Sequence, residues 1–263
     1  MTYAMGRSTA ETDRLRLQAR MYAGPTRALL LQAGIAPGMR VLDVGSGAGD
    51  VAFELARIVG ESGEVVGIDA DPEMVAAAES AGSDARFAVG TLAEPGQTGP
   101  FDAVTGRLIL MHVPDPVAAV RGLARLVRPG GIVTFQDFAV SRAHTVPPLP
   151  LFARVRDWVM AALAAAGARP DAGHELPGIL REAGLADVEV AVGTPGSADP
   201  AGLTTQHAAA TVASLAPLLL AHGLATESDL ADLHDRIRAE AEEAGGAVMF
   251  SPDLVAAWGR VQA

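Results

Sequence analysis

Apolar positions change rhythm at Val41-Leu42-Asp43-Val44, where a short β-branched run stops at Gly45, Gly47 and Gly49. Helical spacing then follows through Val51, Phe53, Leu55, Ala56 and Ile58. The pattern predicts a strand, a tight turn and a helix. Glycine suits such a turn because it tolerates positive φ and lets a ligand approach the backbone. The helix would also aim unpaired amides into the turn. A second strand, Gly63 to Asp69, ends in a carboxylate about twenty positions after Gly49. That spacing suits an acid that accepts from both hydroxyls of a ribose. Capping of the next helix, Pro72 to Ala81, falls to Asp71 instead.

The same periodicities predict the remaining elements. Thr12 to Ala33 reads as two helices split near Gly24-Pro25, and Asp84 to Val89 and Phe101 to Arg107 as strands. A helix over Val117 to Leu126 precedes a fifth strand, Ile132 to Phe135. Beyond Ala139 come a Pro-rich hinge, an amphipathic helix from Phe152 to Ala166, a helix ending at Ala183 and a strand from Val188 to Val192. A helical block over Ala201 to Ala244 and a last, antiparallel strand over Leu254 to Val261 complete the chain.

The glycine spacing narrows the ligand. A dinucleotide turn carries G-x-G-x-x-G around a pyrophosphate, whereas this turn reads G-x-G-x-G followed by Asp50. An acid at the helix start competes with a phosphate for the same positive helix end. It is compatible with a ligand that ends in a zwitterionic amino acid. A nicotinamide-dependent oxidoreductase needs the third-glycine spacing that is missing here.

Composition removes other classes. The net charge of −11 argues against nucleic acid as partner. No cysteine is present, which excludes disulfides and thiolate zinc sites. All 20 Lys-plus-Arg positions are Arg. The longest apolar stretch, Val212 to Leu220, is broken by Ser214 and Pro217, so no membrane span is expected. The first twenty residues carry Arg7, Arg14, Arg16 and Arg20 without an apolar block, which points to the cytoplasm.

Read in order, Asp43 to Gly49, Asp69, Phe101 to Val104 and Leu126 to Gly131 resemble the signatures of class I S-adenosylmethionine-dependent methyltransferases. The nearest flavour is the small-molecule and quinone-biosynthesis group, and the resemblance covers roughly Ala36 to Phe138. It implies an α/β, Rossmann-like fold with a seven-stranded, mostly parallel sheet and helical lid insertions. Residues 1–35 would form an N-terminal lid, 36–138 the cofactor core and 139–172 a helical cap. Residues 173–263 would complete the sheet around a second insertion at about 201–246. S-adenosyl-L-methionine would lie across the strand ends, held by Asp43, Gly45, Ser46, Gly47, Asp69, Ala70, Thr91, Leu92 and Arg107. Thr91 stands where the family usually places an acidic or polar residue against the adenine.

The acceptor side is less defined. Thr105-Gly106-Arg107-Leu108 replaces the Asn-or-Asp, Pro-Pro, aromatic tetrad of amide- and adenine-methylating relatives, which speaks against a planar nitrogen acceptor. His112 and Asp137 are candidate bases. The alternatives are a loop-packing histidine and a solvated strand-end carboxylate. Tyr22, His144 and His174 are candidate acceptor contacts, against sheet cover, a solvated residue and a helix-start residue respectively. No metal site is expected. The implied function is O-methylation of a hydroxyl or carboxyl group of a small molecule in secondary metabolism. C-methylation of a quinone- or polyketide-like substrate and a non-methylating cofactor-binding relative are the alternatives. A homodimer is left open.

Overall fold

The computed structural model describes residues 9–262. The helices, in chain order, are α1 (Thr9–Gln32), α2 (Asp50–Val59), α3 (Pro72–Ser80), α4 (Pro116–Ala124) and α5 (Pro150–Ala165). They continue with α6 (Ala172–Glu182), α7 (Leu203–Ala221), α8 (Glu227–Leu230) and α9 (Leu233–Glu243). The first strands are β1 (Arg40–Val44), β2 (Glu64–Asp69), β3 (Arg86–Val89), β4 (Phe101–Arg107) and β5 (Val127–Ala139). The later ones are β6 (His144–Val146), β7 (Ala186–Gly193), β8 (Gly196–Ser197), β9 (Val248–Phe250) and β10 (Asp253–Arg260).

The chain divides into two units. One comprises Gly24–Asp137, Ala172–Gly193 and Leu254–Ala263, here the sheet unit. Its seven strands run in the order β3-β2-β1-β4-β5-β10-β7. β1 pairs in parallel with β2 and β4, β2 with β3, and β4 with β5, while β10 pairs antiparallel with β7. This is the Rossmann-like arrangement. Strand order reverses between β1 and β4, so their carboxyl ends open a crevice where such sheets take ligands.

Burial explains the strands. Val41, Leu42 and Val44 in β1 and Ala103 and Val104 in β4 are fully buried, so both sheet faces are covered. Leu42, Val44, Val104, Val133 and Phe135 pack with Leu123 of α4 and with Leu176, Ile179 and Leu180 of α6. The helix starts follow local rules. Asp71 accepts from the Glu73 amide at 3.0 Å and Asp115 from the Ala118 amide at 2.9 Å, each followed by proline at the first helical position.

The other unit, the helical unit, comprises the described parts of Met1–Ala23, Phe138–Asp171 and Thr194–Asp253. It holds α5, α7, α8, α9 and a three-stranded sheet in the order β6-β9-β8. β9 pairs antiparallel with both neighbours.

Three features differ from the sequence reading. α1 is a single helix through Pro25. Proline removes one helical amide, but Met21, Tyr22, Leu29 and Leu30 are buried on either side of it, and that burial offsets the lost bond. β5 extends to Ala139, and Asp137 is 0% exposed, so its reading as a solvated strand-end carboxylate is corrected. The β6-β9-β8 sheet was not anticipated. Its strands have three, three and two residues, too short to show an alternating pattern.

Phe135 is fully buried at the centre of β5. Phe135→Ala should destabilise the chain by about 3 to 5 kcal/mol in a denaturant titration followed by far-UV circular dichroism.

Candidate functional site

The turn after β1 is built from its glycines. Gly49, at φ +95°, has no room for a side chain, because a Cβ would lie 2.5 Å from the ring of Phe53. Gly47, at φ +53°, has nothing within 4 Å of that position. The first glycine lets α2 start, and the second leaves backbone open to a guest. The Ser46 amide donates to the Ile68 carbonyl at 2.9 Å, which ties the turn to β2.

Asp69 ends β2 and fixes the turn from the other side. Its Oδ2 accepts from the Gly47 amide and its Oδ1 from the Asp71 amide, both at 2.9 Å. Two donors in two directions hold the carboxylate in one orientation. Lone pairs on both oxygens stay available to further donors such as hydroxyls.

Asp43, at the end of β1, is 1% exposed, and neither carboxylate oxygen has a hydrogen-bond partner among the described residues. Burial pushes its carboxyl up to about 8. Arg107 pulls it back down, Asp69 and Asp50 raise it further, and the nearby Ala52 amide lowers it slightly. Arg107, at the end of β4, is itself held. Its Nη1 donates to Thr26 Oγ1 at 3.0 Å, and its Nη2 lies 4.0 Å from Asp50 Oδ2. The Thr26 carbonyl accepts from Gln136 Nε2 at 3.5 Å. The crevice thus gathers the carboxyl groups of Asp43, Asp50 and Asp69 around one guanidinium; Asp43 holds its proton at neutral pH unless a cation meets it, so the site favours a guest bringing positive charge and disfavours a pyrophosphate.

Thr91 closes a tight turn after β3. Its amide donates to the Glu94 carbonyl at 3.0 Å, and its Oγ1 accepts from the Glu94 amide at 2.9 Å. Leu92 is half-buried against the apolar core, and Ala70 is exposed beside Asp69. Asp43, Gly45, Ser46, Gly47, Asp69 and Arg107 are therefore brought together at adjoining strand ends. Thr91 and Leu92 follow the neighbouring strand.

The other candidates are dispersed. His112 is half-buried on a short turn, Leu110–His112, and burial holds its imidazole below the usual range. His174 is exposed on α6. Asp137 is buried in β5. In the helical unit, His144 is exposed and stacks on Phe250 at 4.7 Å between ring centroids, with Nδ1 2.8 Å from the Arg142 carbonyl. Tyr22 is buried there, and its hydroxyl donates to the Pro252 carbonyl at 2.8 Å. Among the described residues no cluster of three His, Asp or Glu is arranged to hold a metal ion, and no helix is long and apolar enough to cross a membrane.

Two residues escaped the sequence reading. Thr26 gives no local signal, since its partner Arg107 lies 81 positions away. His207 of α7 is 6% exposed, and burial followed by the charge of Arg14 pushes it down to about 3. Its signal was a polar stripe of Thr204, His207, Thr211 and Ser214 along α7, all buried.

A family model described as a methyltransferase domain matches residues 35–184. The chain belongs to that methyltransferase family. Among curated relatives, a ubiquinone biosynthesis O-methyltransferase of Xanthomonas oryzae pv. oryzae is 42% identical over 100 residues, covering 36% of this chain and 41% of the relative. The enzyme of the same description from Xanthomonas campestris pv. campestris is 43% identical over 115 residues, covering 41% and 46%. The match thus spans less than half the length of these relatives. The Bacillus subtilis YcgJ protein shares the fold at a TM-score of 0.58 and 17% identity, covering 91% of this methyltransferase and all of that chain. Haemonchus contortus phosphoethanolamine N-methyltransferase 2, solved in complex with S-adenosyl-L-methionine, aligns at 0.54 and 18% identity, covering 91% of this chain and 52% of that one.

Because its folded value exceeds the unfolded 3.8, Asp43 binds an extra proton in the folded chain between 3.8 and about 8. Its contribution to stability is therefore present at low pH and lost as pH rises through that window. Asp43→Asn removes the dependence. The melting temperature of the variant minus that of the parent should grow as pH is raised from about 5 to about 9.

Proposed function

We propose that this methyltransferase moves a methyl group from S-adenosyl-L-methionine to a hydroxyl oxygen of a small molecule. The observation that carries the cofactor half is the Asp43 carboxylate, buried without a hydrogen-bond partner among the described residues, between an open glycine turn and Arg107. Such a group is stabilised by a cation that arrives with its own donors, and an amino-acid ammonium fits. The carboxylate of the same amino acid would meet Arg107, and the ribose hydroxyls would meet Asp69. When bound, the cofactor supplies an electrophilic methyl carbon on a sulfonium.

The chain's own residues then have the task of placement. Thr26 and Asp50 keep the Arg107 guanidinium oriented, the Gly47 and Asp71 amides keep Asp69 oriented, and the glycine turn admits the guest without a side chain in its way. Fixing both ends of the donor sets the position of its reactive centre, and orientation of this kind removes much of the barrier to a displacement. A general base is required only for an acceptor that enters protonated.

Support for oxygen as the acceptor atom comes from the curated relatives, which are O-methyltransferases in ubiquinone biosynthesis, and from the missing nitrogen-acceptor tetrad. Action in secondary metabolism, placement in the cytoplasm and assembly as a homodimer extend the same proposal and rest on the sequence.

Calorimetric titration with S-adenosyl-L-methionine should give saturable heat. Asp69→Ala should weaken it about a hundredfold, the loss expected for two hydrogen bonds to a charged acceptor. No heat from the parent, or equal heat from the variant, overturns the cofactor assignment. In a second assay, label from the methyl group of the donor should appear on uncharged phenols.

A further inference from the structure

Asp43 stands near the end of β1, with Gly67 of β2 and Thr105 of β4 as its cross-strand partners, neither of which can neutralise a carboxylate. It is 1% exposed, and neither carboxyl oxygen makes a well-formed hydrogen bond among the described residues. The charged groups that act on it come from three elements: Arg107 from β4, Asp69 from β2 and Asp50 from α2. Two of the three are acids, and Arg107 is shared with Thr26 and Asp50. A carboxyl so placed keeps its proton, because the ionised form would lose its hydration beside two further acids. Burial, opposed by Arg107 and reinforced by Asp69 and Asp50, accordingly pushes it up to about 8. Yet the adjoining turn is open, with nothing within 4 Å of the place a Gly47 side chain would take.

We propose that cofactor capture is coupled to proton release at Asp43: its carboxyl passes a proton to solvent as the amino-acid ammonium arrives, and takes one back when the ligand leaves. The proposal rests on the methyl-transfer reading for the identity of the ligand. The free site holds a neutral carboxyl, the occupied site an ion pair of carboxylate and ammonium, and the proton goes to the buffer. An ammonium brings both a charge and three donors, which are what the buried carboxylate lacks. An uncharged guest leaves the proton in place, since a buried carboxylate without a cation is costly. The sign follows. A group protonated in the free chain and ionised in the complex makes affinity rise with pH. That gain ends at about 8, above which the free site is itself ionised. Acidification therefore loosens the cofactor and its demethylated product together.

The test is a calorimetric titration of the full chain with S-adenosylhomocysteine at about pH 6 and about pH 7, where the amine of the free ligand is largely protonated. Affinity should rise about tenfold over that step, the response to one released proton. At the higher pH, the heats in phosphate and in Tris buffer should differ by the amount that corresponds to about one proton released. Methylthioadenosine keeps the ribose and adenine but lacks the amino acid. It should bind without releasing a proton, which separates Asp43 from every group at the ribose end, Asp69 included. Asp43→Asn should bind S-adenosylhomocysteine with the same affinity at both pH values. An unchanged affinity of the parent over the pH step, equal heats in the two buffers, or the same proton release with methylthioadenosine overturns the proposal and leaves the cofactor assignment standing. Should Asp43→Asn fail to fold, the pH step and the two ligands on the parent chain decide. No binding of S-adenosylhomocysteine at either pH overturns the cofactor assignment, and the coupling falls with it.

Discussion

Asp43 stands where the strand order of the sheet reverses, with almost no exposure and neither carboxyl oxygen in a well-formed hydrogen bond among the described residues. A carboxylate in that condition must hold its proton or be met by a cation, because an uncompensated buried charge is costly. Its neighbours settle the matter only in part. Arg107 is drawn toward Asp50 as well, and Asp69 adds negative charge from the adjoining strand. The site therefore keeps an affinity for positive charge that the protein itself does not satisfy. Everything around it serves to hold that arrangement, from the Thr26 hydroxyl under Arg107 to the two amides on Asp69.

The legible parts of the fold were those whose cause is local. β1, the glycine turn and α2 follow from a β-branched run, alternate glycines and a 3.6-residue rhythm within twenty positions, 40–59. Asp71 before Pro72 announces the start of α3, and Asp69 is identified by its distance from the turn. What was missed depends on contacts distant in sequence. Pro25 looks like a helix break, and only the burial of Tyr22 and Leu29 on either side keeps α1 whole. β6, β8 and β9 are ladders of two or three residues whose reason for pairing lies some 50 to 100 positions away. Thr26 belongs to the same class, since its side-chain partner Arg107 lies 81 positions away, whereas His207 was marked only by the polar stripe along α7.

This division has a physical basis in the reaction. A donor that already carries an activated methyl asks for placement, which backbone turns and strand-end carboxylates provide, and such features leave compact marks in a sequence. Recognition of an acceptor depends instead on the shape and polarity of surfaces assembled from remote segments. The histidines singled out from the sequence were conspicuous by their neighbours in the chain. His144 proves to be exposed and stacked on Phe250, and His174 exposed on α6, whereas the buried His207 had only the polar stripe of α7 to mark it.

Selection among acceptors cannot rest on the field of the whole chain. A net charge of −11 repels anions at a distance, but at physiological salt that repulsion is screened within about 8 Å. Discrimination must then be local. Within the helical unit Arg14 pairs with Glu11 at 2.7 Å, and burial keeps the nearby His207 imidazole neutral, so polar groups there are held by specific partners and not by the net charge of the chain.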